Sequence, residues 1–280
     1  MKKILILVVL CCVSLANAIV APNAYFSFEG NSGVYGNGSN ANPAWAEKVS
    51  GLAPGYVGNS TVTRPEITTD GIKGDAFYAS DPTKSGGTVT LSWTDAAVKD
   101  SFAAAQSYTV CGWINTRDIA ANGSESYIMK SWGAGPSLKW RGDGRMQVLD
   151  TVDNTWRYAG YNQGYSNGNW VFFAVTRDSS SIRYYFGSET GAVVAGAATT
   201  GLSLAATGTS TRLVLGGATY NGTDPYFNAD MDEIRFYKAV DNSGALTLAQ
   251  LEEIRQFDIV PEPATMALFG LGMFIIRRKK

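Results

Sequence analysis

Along almost its whole length this chain breaks short runs of β-branched and aromatic residues with clusters of Gly, Asn, Ser and Asp, and no 3.6-residue apolar period is sustained until its last stretch. A helix must repeat apolar positions every 3.6 residues to bury one face. A strand needs only alternation and a turn at each end, so this punctuation predicts antiparallel strands. The candidates are residues 24–28, 88–93, 108–116, 127–130, 146–149, 170–177, 182–186, 212–215 and 231–237. With 31 glycines, 12% aromatic and 17% charged residues in 280, the composition is not that of helical bundles or coiled coils, which need Ala, Leu, Glu and Lys. No internal repeat or long linker interrupts the series. One all-β antiparallel domain over residues 19–258, with strand spacings suited to a sandwich, is the economical count.

One helix is expected to close the domain. Thr247 is placed to accept a backbone N–H as N-cap, Gln250 completes a capping box, and Leu246 can staple against Leu251. Leu251 and Ile254 then form the apolar stripe of a short helix ending near Phe257, whose expected role is packing against the strands.

The two ends read as addresses. Lys2 and Lys3, the apolar stretch 4–15 and the small-x-small pattern Ala16-Asn17-Ala18 make residues 1–18 a secretory signal peptide, and cleavage after Ala18 would discard Cys11 and Cys12. At the other end, in segment 259–280, Val260-Pro261-Glu262-Pro263 precedes 13 apolar or small residues and then Arg277-Arg278-Lys279-Lys280. As a helix, that apolar stretch would reach roughly 20 Å, short of a hydrocarbon core of about 30 Å. The basic cluster favours the cytoplasmic side, so the body would be held outside. Motif, short span and basic cluster, in that order, closely resemble the PEP-CTERM sorting signal of Gram-negative bacteria. The resemblance implies processing at Pro261, Glu262 and Pro263 by an exosortase-type enzyme, a membrane foothold before processing, and an association with exopolysaccharide.

Without its end segments the body has a net charge of −7 and no Lys/Arg cluster. Phosphate backbones demand the opposite, so nucleic acid is not an expected partner. The chain also contains no histidine. A Ser-His-Asp triad, a Cys-His dyad and any His-ligated zinc site are thereby excluded.

Several strand candidates resemble concanavalin A-like, laminin-G-type domains. The opening Tyr25-Phe26-Ser27-Phe28-Glu29-Gly30, the early Gly71-Ile72-Lys73-Gly74-Asp75-Ala76-Phe77 and the strand Ser107-Tyr108-Thr109-Val110-Cys111-Gly112-Trp113-Ile114 are the first three pieces. Trp170-Val171-Phe172-Phe173-Ala174-Val175-Thr176 and Phe227-Asn228-Ala229-Asp230-Met231-Asp232-Glu233-Ile234-Arg235-Phe236-Tyr237 complete the order. The resemblance covers about 230 residues. It implies an all-β concanavalin A-like antiparallel β-sandwich, a jelly roll of two curved sheets with one short C-terminal helix.

Glycoside hydrolases on this fold place acid and nucleophile about 5 Å apart on one strand in an E-x-D-x-x-E pattern, which is missing here. An enzyme is therefore not expected. In the acidic cluster Asp230-Met231-Asp232-Glu233, alternation puts Asp232 on a face with Ile234 and Phe236. A carboxylate so buried would be held by backbone N–H groups, with calcium ligation and catalysis as the alternatives. Pentraxins, the calcium-dependent branch of the fold, are resembled by Tyr108-Thr109-Val110-Cys111. Their partner cysteine is missing, which implies that Cys111 is an unpaired, buried thiol. Gly217-Ala218-Thr219 stands where their calcium ligands would be, so that site does not transfer. A different structural calcium site near Glu29 or Asp232 stays open.

Trp132, Trp140, Trp156, Tyr158, Tyr161 and Tyr165 crowd the middle of the chain among Gly, Asn and Gln. Such rings either fill the core, as the family positions of Trp113 and Trp170 imply for those two, or present a face on which a sugar stacks while amides bond its hydroxyls. The N-x-S/T triplets at Asn37, Asn59, Asn122 and Asn221 mark loops. The expected function is a non-catalytic, exported adhesion or carbohydrate-binding module at the envelope or in the matrix of a Gram-negative bacterium, with extracellular polysaccharide or a surface glycan as partner. A structural surface protein without a ligand is the alternative, and a glycoside hydrolase comes third.

Overall fold

The computed structural model describes residues 20–29, 33–34, 47–52, 56–57, 66–78, 91–102, 105–117, 125–133, 135–141, 143–150, 155–158, 168–202, 210–217 and 228–260. Its strands are β1 (Ala24–Phe26), β2 (Gly33–Val34), β3 (Tyr56–Val57), β4 (Glu66–Gly71), β5 (Gly74–Tyr78), β6 (Leu91–Trp93), β7 (Ser107–Thr116) and β8 (Glu125–Gly133). They continue as β9 (Ser137–Arg141), β10 (Met146–Asp150), β11 (Thr155–Tyr158), β12 (Trp170–Arg177), β13 (Ile182–Ser188), β14 (Val194–Thr199), β15 (Ser210–Leu215) and β16 (Ala229–Ala239). A one-turn helix α1 (Ala96–Lys99) follows β6, and α2 (Leu248–Ile259) follows β16.

These strands form two antiparallel sheets. The larger runs β14-β13-β12-β7-β16-β5-β4-β2, with β1 also on β16, and the smaller runs β11-β10-β9-β8-β15-β6-β3. Strand β16 is long enough to hold two partners end to end on one flank: Met231 faces Phe77 of β5, and Phe236 faces Ala24 of β1. The sandwich and its terminal helix are those expected from the sequence.

Alternation sorts the side chains of the larger sheet into two cores. Val110 and Ile114 of β7, Phe173 and Val175 of β12, and Ile234 and Phe236 of β16 point between the sheets, where they meet Trp93, Met129, Leu138, Trp140 and Val148 of the smaller one. Cys111, Trp113, Phe172, Ala174 and Tyr237 point the other way and pack under α2 with Leu246, Leu251 and Ile254. Burying the last two leucine and isoleucine side chains stabilises the docked helix by about 1.5–3 kcal/mol each. The capping box forms as predicted, with the Thr247 side chain accepting from Gln250 N–H and the Gln250 side chain from Thr247 N–H. The helix runs two residues beyond Phe257, to Ile259.

Polar groups fasten the same helix. Val193 N–H donates to Glu252 Oε2 at 2.7 Å, Arg255 Nη1 donates to Ser188 O at 2.7 Å, and Trp113 Nε1–H donates to Asp258 Oδ2 at 3.0 Å. Trp113 and Trp170 are buried as expected, but in the layer beneath α2 rather than between the sheets.

Two β-bulges reset the alternation. In β8, Tyr127 faces Lys139 while Met129 faces Leu138, so Ile128 is the extra residue, and both Ile128 and Met129 enter the core. In β16, Asp232 faces Trp113 while Arg235 faces Cys111, with Glu233 in the left-handed region at φ 52°. Gly112 lies opposite this bulge, where a Cβ would come within 2.9 Å of Ile234 Cα, so only glycine lets the backbones approach. The bulge corrects the expected placement of Asp232. It does not share a face with Ile234 and Phe236, because one inserted residue turns it to the opposite side.

Candidate functional site

The outer face of the smaller sheet carries two exposed aromatic residues, Trp132 and Tyr158, and two half-buried ones, Tyr127 and Trp156. Cross-strand pairs place Tyr127, Lys139, Gln147 and Tyr158 in one row over β8, β9, β10 and β11, and Lys130, Ser137, Leu149 and Trp156 in the next. The bulge at Ile128 is what brings Tyr127 and Lys130 to the same face. Within these rows, rings and ammonium groups alternate. Lys130 Nζ lies 4.2 Å from the Trp132 ring and 5.1 Å from that of Tyr127. Lys139 Nζ lies 4.7 Å from the Tyr127 ring and 4.2 Å from that of Trp156. The Tyr127 and Trp156 rings meet edge to face at 5.9 Å. Tyr158 completes the platform beneath Arg141 and is 49% exposed, and Trp132 is 38% exposed.

Glu125 anchors one side of this platform. It accepts from Gln147 Nε2 at 2.6 Å and Lys139 Nζ at 3.1 Å, with Arg141 Nη1 3.7 Å away. Partial burial raises its carboxyl, but those two hydrogen bonds and the charges of Lys139 and Arg141 outweigh burial and hold it below the usual carboxylate range. Glu125 is therefore an ionised strut for the cations rather than a proton donor.

Of the six aromatic candidates, the structure brings Trp132, Trp156 and Tyr158 together on this face. Trp140 points the other way and is buried between the sheets, which removes it from any surface stacking role. Tyr161 and Tyr165 lie outside the described residues, as do Ala16, Ala18, Pro261, Glu262 and Pro263. Tyr127, Lys130, Lys139, Arg141, Glu125 and Gln147 were not anticipated. A signal for two of them was present: in Ser137-Leu138-Lys139-Trp140-Arg141, alternation with Leu138 inward sends Trp140 inward and Lys139 and Arg141 outward.

Glu29 and Asp232 flank the turn that joins β4 to β5. Asp232 accepts from Lys73 N–H at 3.1 Å and from Glu233 N–H at 2.8 Å, and Glu29 accepts from the backbone of Asp75. Gly74, at φ 86°, is tucked so close that a Cβ would stand 2.5 Å from Glu29 Oε2. Burial, then the charge of Glu233, pushes the Asp232 carboxyl well above its ordinary value, and burial raises that of Glu29. Both carboxylates are spent on closing the turn, and among the described residues no group of three or more Asp, Glu, Cys or His is disposed to hold a metal.

The remaining acids of the same cluster have separate structural partners. Asp230 takes a bidentate grip from Arg117, Nε at 2.9 Å and Nη2 at 2.6 Å. Glu233 bonds Arg235 Nη2 and accepts from Tyr25 Oη at 2.6 Å. Cys111 is a free, buried thiol beneath α2.

The sequence profile of the concanavalin A-like lectin/glucanases superfamily, in its laminin G type, matches residues 85–245, more than half of the chain. The chain belongs to this superfamily. Strands β1, β4 and β5 precede the matched residues, yet β1 and β5 pair directly with β16 inside this lectin-like sandwich. A second profile, the PEP-CTERM protein-sorting motif, matches residues 260–280. It implies recognition by an exosortase-type processing enzyme and export to the envelope of a Gram-negative bacterium. Among the described residues no helix is long and apolar enough to cross a membrane.

No curated protein matches this chain. Among solved structures, domain 4 of AbnA, a GH43 extracellular arabinanase from Geobacillus stearothermophilus in complex with arabinotriose, is similar at a TM-score of 0.50 and 18% identity, over 84% of this chain and 98% of that one. The binding domain of botulinum neurotoxin serotype D is similar at a TM-score of 0.51 and 14% identity, over 84% of this chain and 52% of that one. At these identities the likeness is one of fold.

Proposed function

We propose that this protein is a non-catalytic glycan-binding module, displayed at the cell surface or in an exopolysaccharide matrix, whose binding surface is the outer face of the smaller sheet. The observation that carries the reading is the platform itself. Trp132 and Tyr127 of β8 and Trp156 and Tyr158 of β11 lie beside the cationic groups of Lys139 and Arg141 of β9. Flat rings with adjacent hydrogen-bond donors match the apolar C–H faces and hydroxyl rims of sugars.

Two further points support it. A domain of the same fold, that of AbnA, has been solved with arabinotriose bound. The carboxylate on this face, Glu125, is held ionised by Lys139 and Gln147, and a glycosidase acid must instead keep its proton. Maturation on this reading removes residues 1–18 and the segment after about Pro263, the apolar stretch serving as a membrane foothold until then.

Affinity electrophoresis and a glycan array with the mature body, beside Trp132→Ala and Trp156→Ala, test the proposal. Binding by the parent that falls tenfold or more in either variant is the expected result. A folded protein that binds no glycan would instead be a structural surface protein. Glycan hydrolysis by the parent would place it among the enzymes of the fold.

A further inference from the structure

We propose that the glycan this face takes is acidic, and that Lys130 is the residue that reads its carboxylate. The inference rests on the glycan reading of the platform and adds the chemical class of the ligand. Its basis is the order Trp132, Lys130, Tyr127, Lys139, Trp156, in which an ammonium group sits within 4.2 to 5.1 Å of the ring on either side of it. A neutral pyranose that stacks on an aromatic ring needs a bare ring face. Here the ring faces are shared with cations, so a neutral sugar would have to displace an ammonium and forfeit its cation–π attraction. An acidic sugar gains in exchange a charge pair between its carboxylate and the ammonium.

The two lysines are not equivalent. Lys139 is neutralised by Glu125 at 3.1 Å. Lys130 has two rings for neighbours and no carboxylate among the described residues. Arg141 adds a cation shared between Glu125 at 3.7 Å and Asp143 at 3.4 Å. Among the described residues the face thus carries one cation that no carboxylate balances, on a body that is acidic as a whole, which favours a polyanion at this surface. Lys130 stands on β8 opposite Val214, on the face that carries the rings.

The test is isothermal titration of the mature body, in low and in moderate salt, with a panel of acidic polysaccharides (polygalacturonate, alginate, hyaluronan) and of neutral ones (fully methyl-esterified polygalacturonate, arabinan, dextran). Expected is binding to at least one acidic polymer, tenfold or more tighter than to any neutral one and weakened by salt. Lys130→Ala should stay folded and lose tenfold or more of that affinity, and Lys130→Arg should retain it. Equal binding of neutral and acidic polymers, indifferent to Lys130→Ala, overturns the acidic assignment and leaves the glycan platform standing. Silence toward every polymer overturns the platform reading together with this one.

Discussion

Arg235 on β16 grips both carboxylate oxygens of Asp258 on α2, at 2.9 and 2.7 Å, and all three side chains of the Arg235, Asp258 and Glu233 cluster are at most 4% exposed. The guanidinium also bonds Glu233 and lies over the Tyr25 ring at 4.6 Å, so one residue joins the first strand, the bulge of the last strand and the terminal helix. Asp258→Ala leaves a buried cation with half its charge balance and strands the Trp113 N–H. The expected loss is about 3–5 kcal/mol in denaturant unfolding. Asp258→Leu combined with Arg235→Met removes that pair but leaves Glu233 without its guanidinium and the Trp113 N–H without its acceptor, so it should recover only part of that loss. A double variant no more stable than either single one would show that the pair does more than balance its own charges.

Glu233 makes stability depend on pH. Burial pushes its carboxyl from 4.5 up to about 7, with Arg235 opposing and Asp258 adding to the rise, and its Oε1 has no partner among the described residues. The folded state therefore holds this proton more tightly than the unfolded chain. The contribution is present in full below pH 4.5 and is lost as pH rises through about 7. Asp232 and Glu29 act in the same sense, whereas Glu252, held down at about 2 by Arg255, acts in the opposite sense and only in acid. Melting curves from pH 4 to 8 should show the parent falling relative to Glu233→Gln across this window. Parallel curves would assign the slope to other groups.

Asp232 is expected to hold its turn without help from calcium. Asp232→Ala strands the N–H groups of Lys73 and Glu233, at a cost of about 1–3 kcal/mol. A calcium ligand would instead show a wild-type gain of about 2.7 kcal/mol at a hundredfold excess over Kd, absent from the variant. Melting both proteins in chelator and in millimolar calcium separates the roles, and calcium-independent melting of the wild type is the expected outcome.

Cys111 should be chemically silent. It is fully buried beneath α2, and burial pushes its thiol up to about 12. The thiolate that reacts with dyes is then almost unpopulated at neutral pH. Labelling is expected only after denaturation, and rapid labelling of the native protein would mean that α2 lifts off the sheet.

Much of this molecule was written locally. Strand β12 begins and ends where its run of Val, Phe and Thr does, and α2 starts at Thr247 because side-chain oxygens there satisfy the first N–H groups. Strands β2, β3, β4, β9, β11 and β14 escaped notice, and the last three carry little hydrophobic contrast: Ser137–Arg141 is part charged, Thr155–Tyr158 is polar, and Val194–Thr199 is mostly alanine and glycine. Their strand state comes from pairing with neighbours, as β-propensity is largely a matter of context.

The sequence alone determined the strand-rich class, the capped helix, the sorting signal and the exclusion of histidine chemistry, since each depends on residue identity at short range. Only the tertiary structure decided which side chains meet. Alternation counted along a strand predicts a face until a bulge inserts a residue, and every side chain beyond it then changes sides. The bulge at Ile128 put Lys130 beside Tyr127 to make the aromatic platform, and the bulge at Glu233 turned Asp232 away from Ile234 toward the β4–β5 turn. Each bulge is fixed by the strand it pairs with. Leu138 and Lys139 of the next strand, β9, set the first, and Cys111 and Trp113 of β7, distant in sequence, set the second, so neither can be read from the strand that contains it.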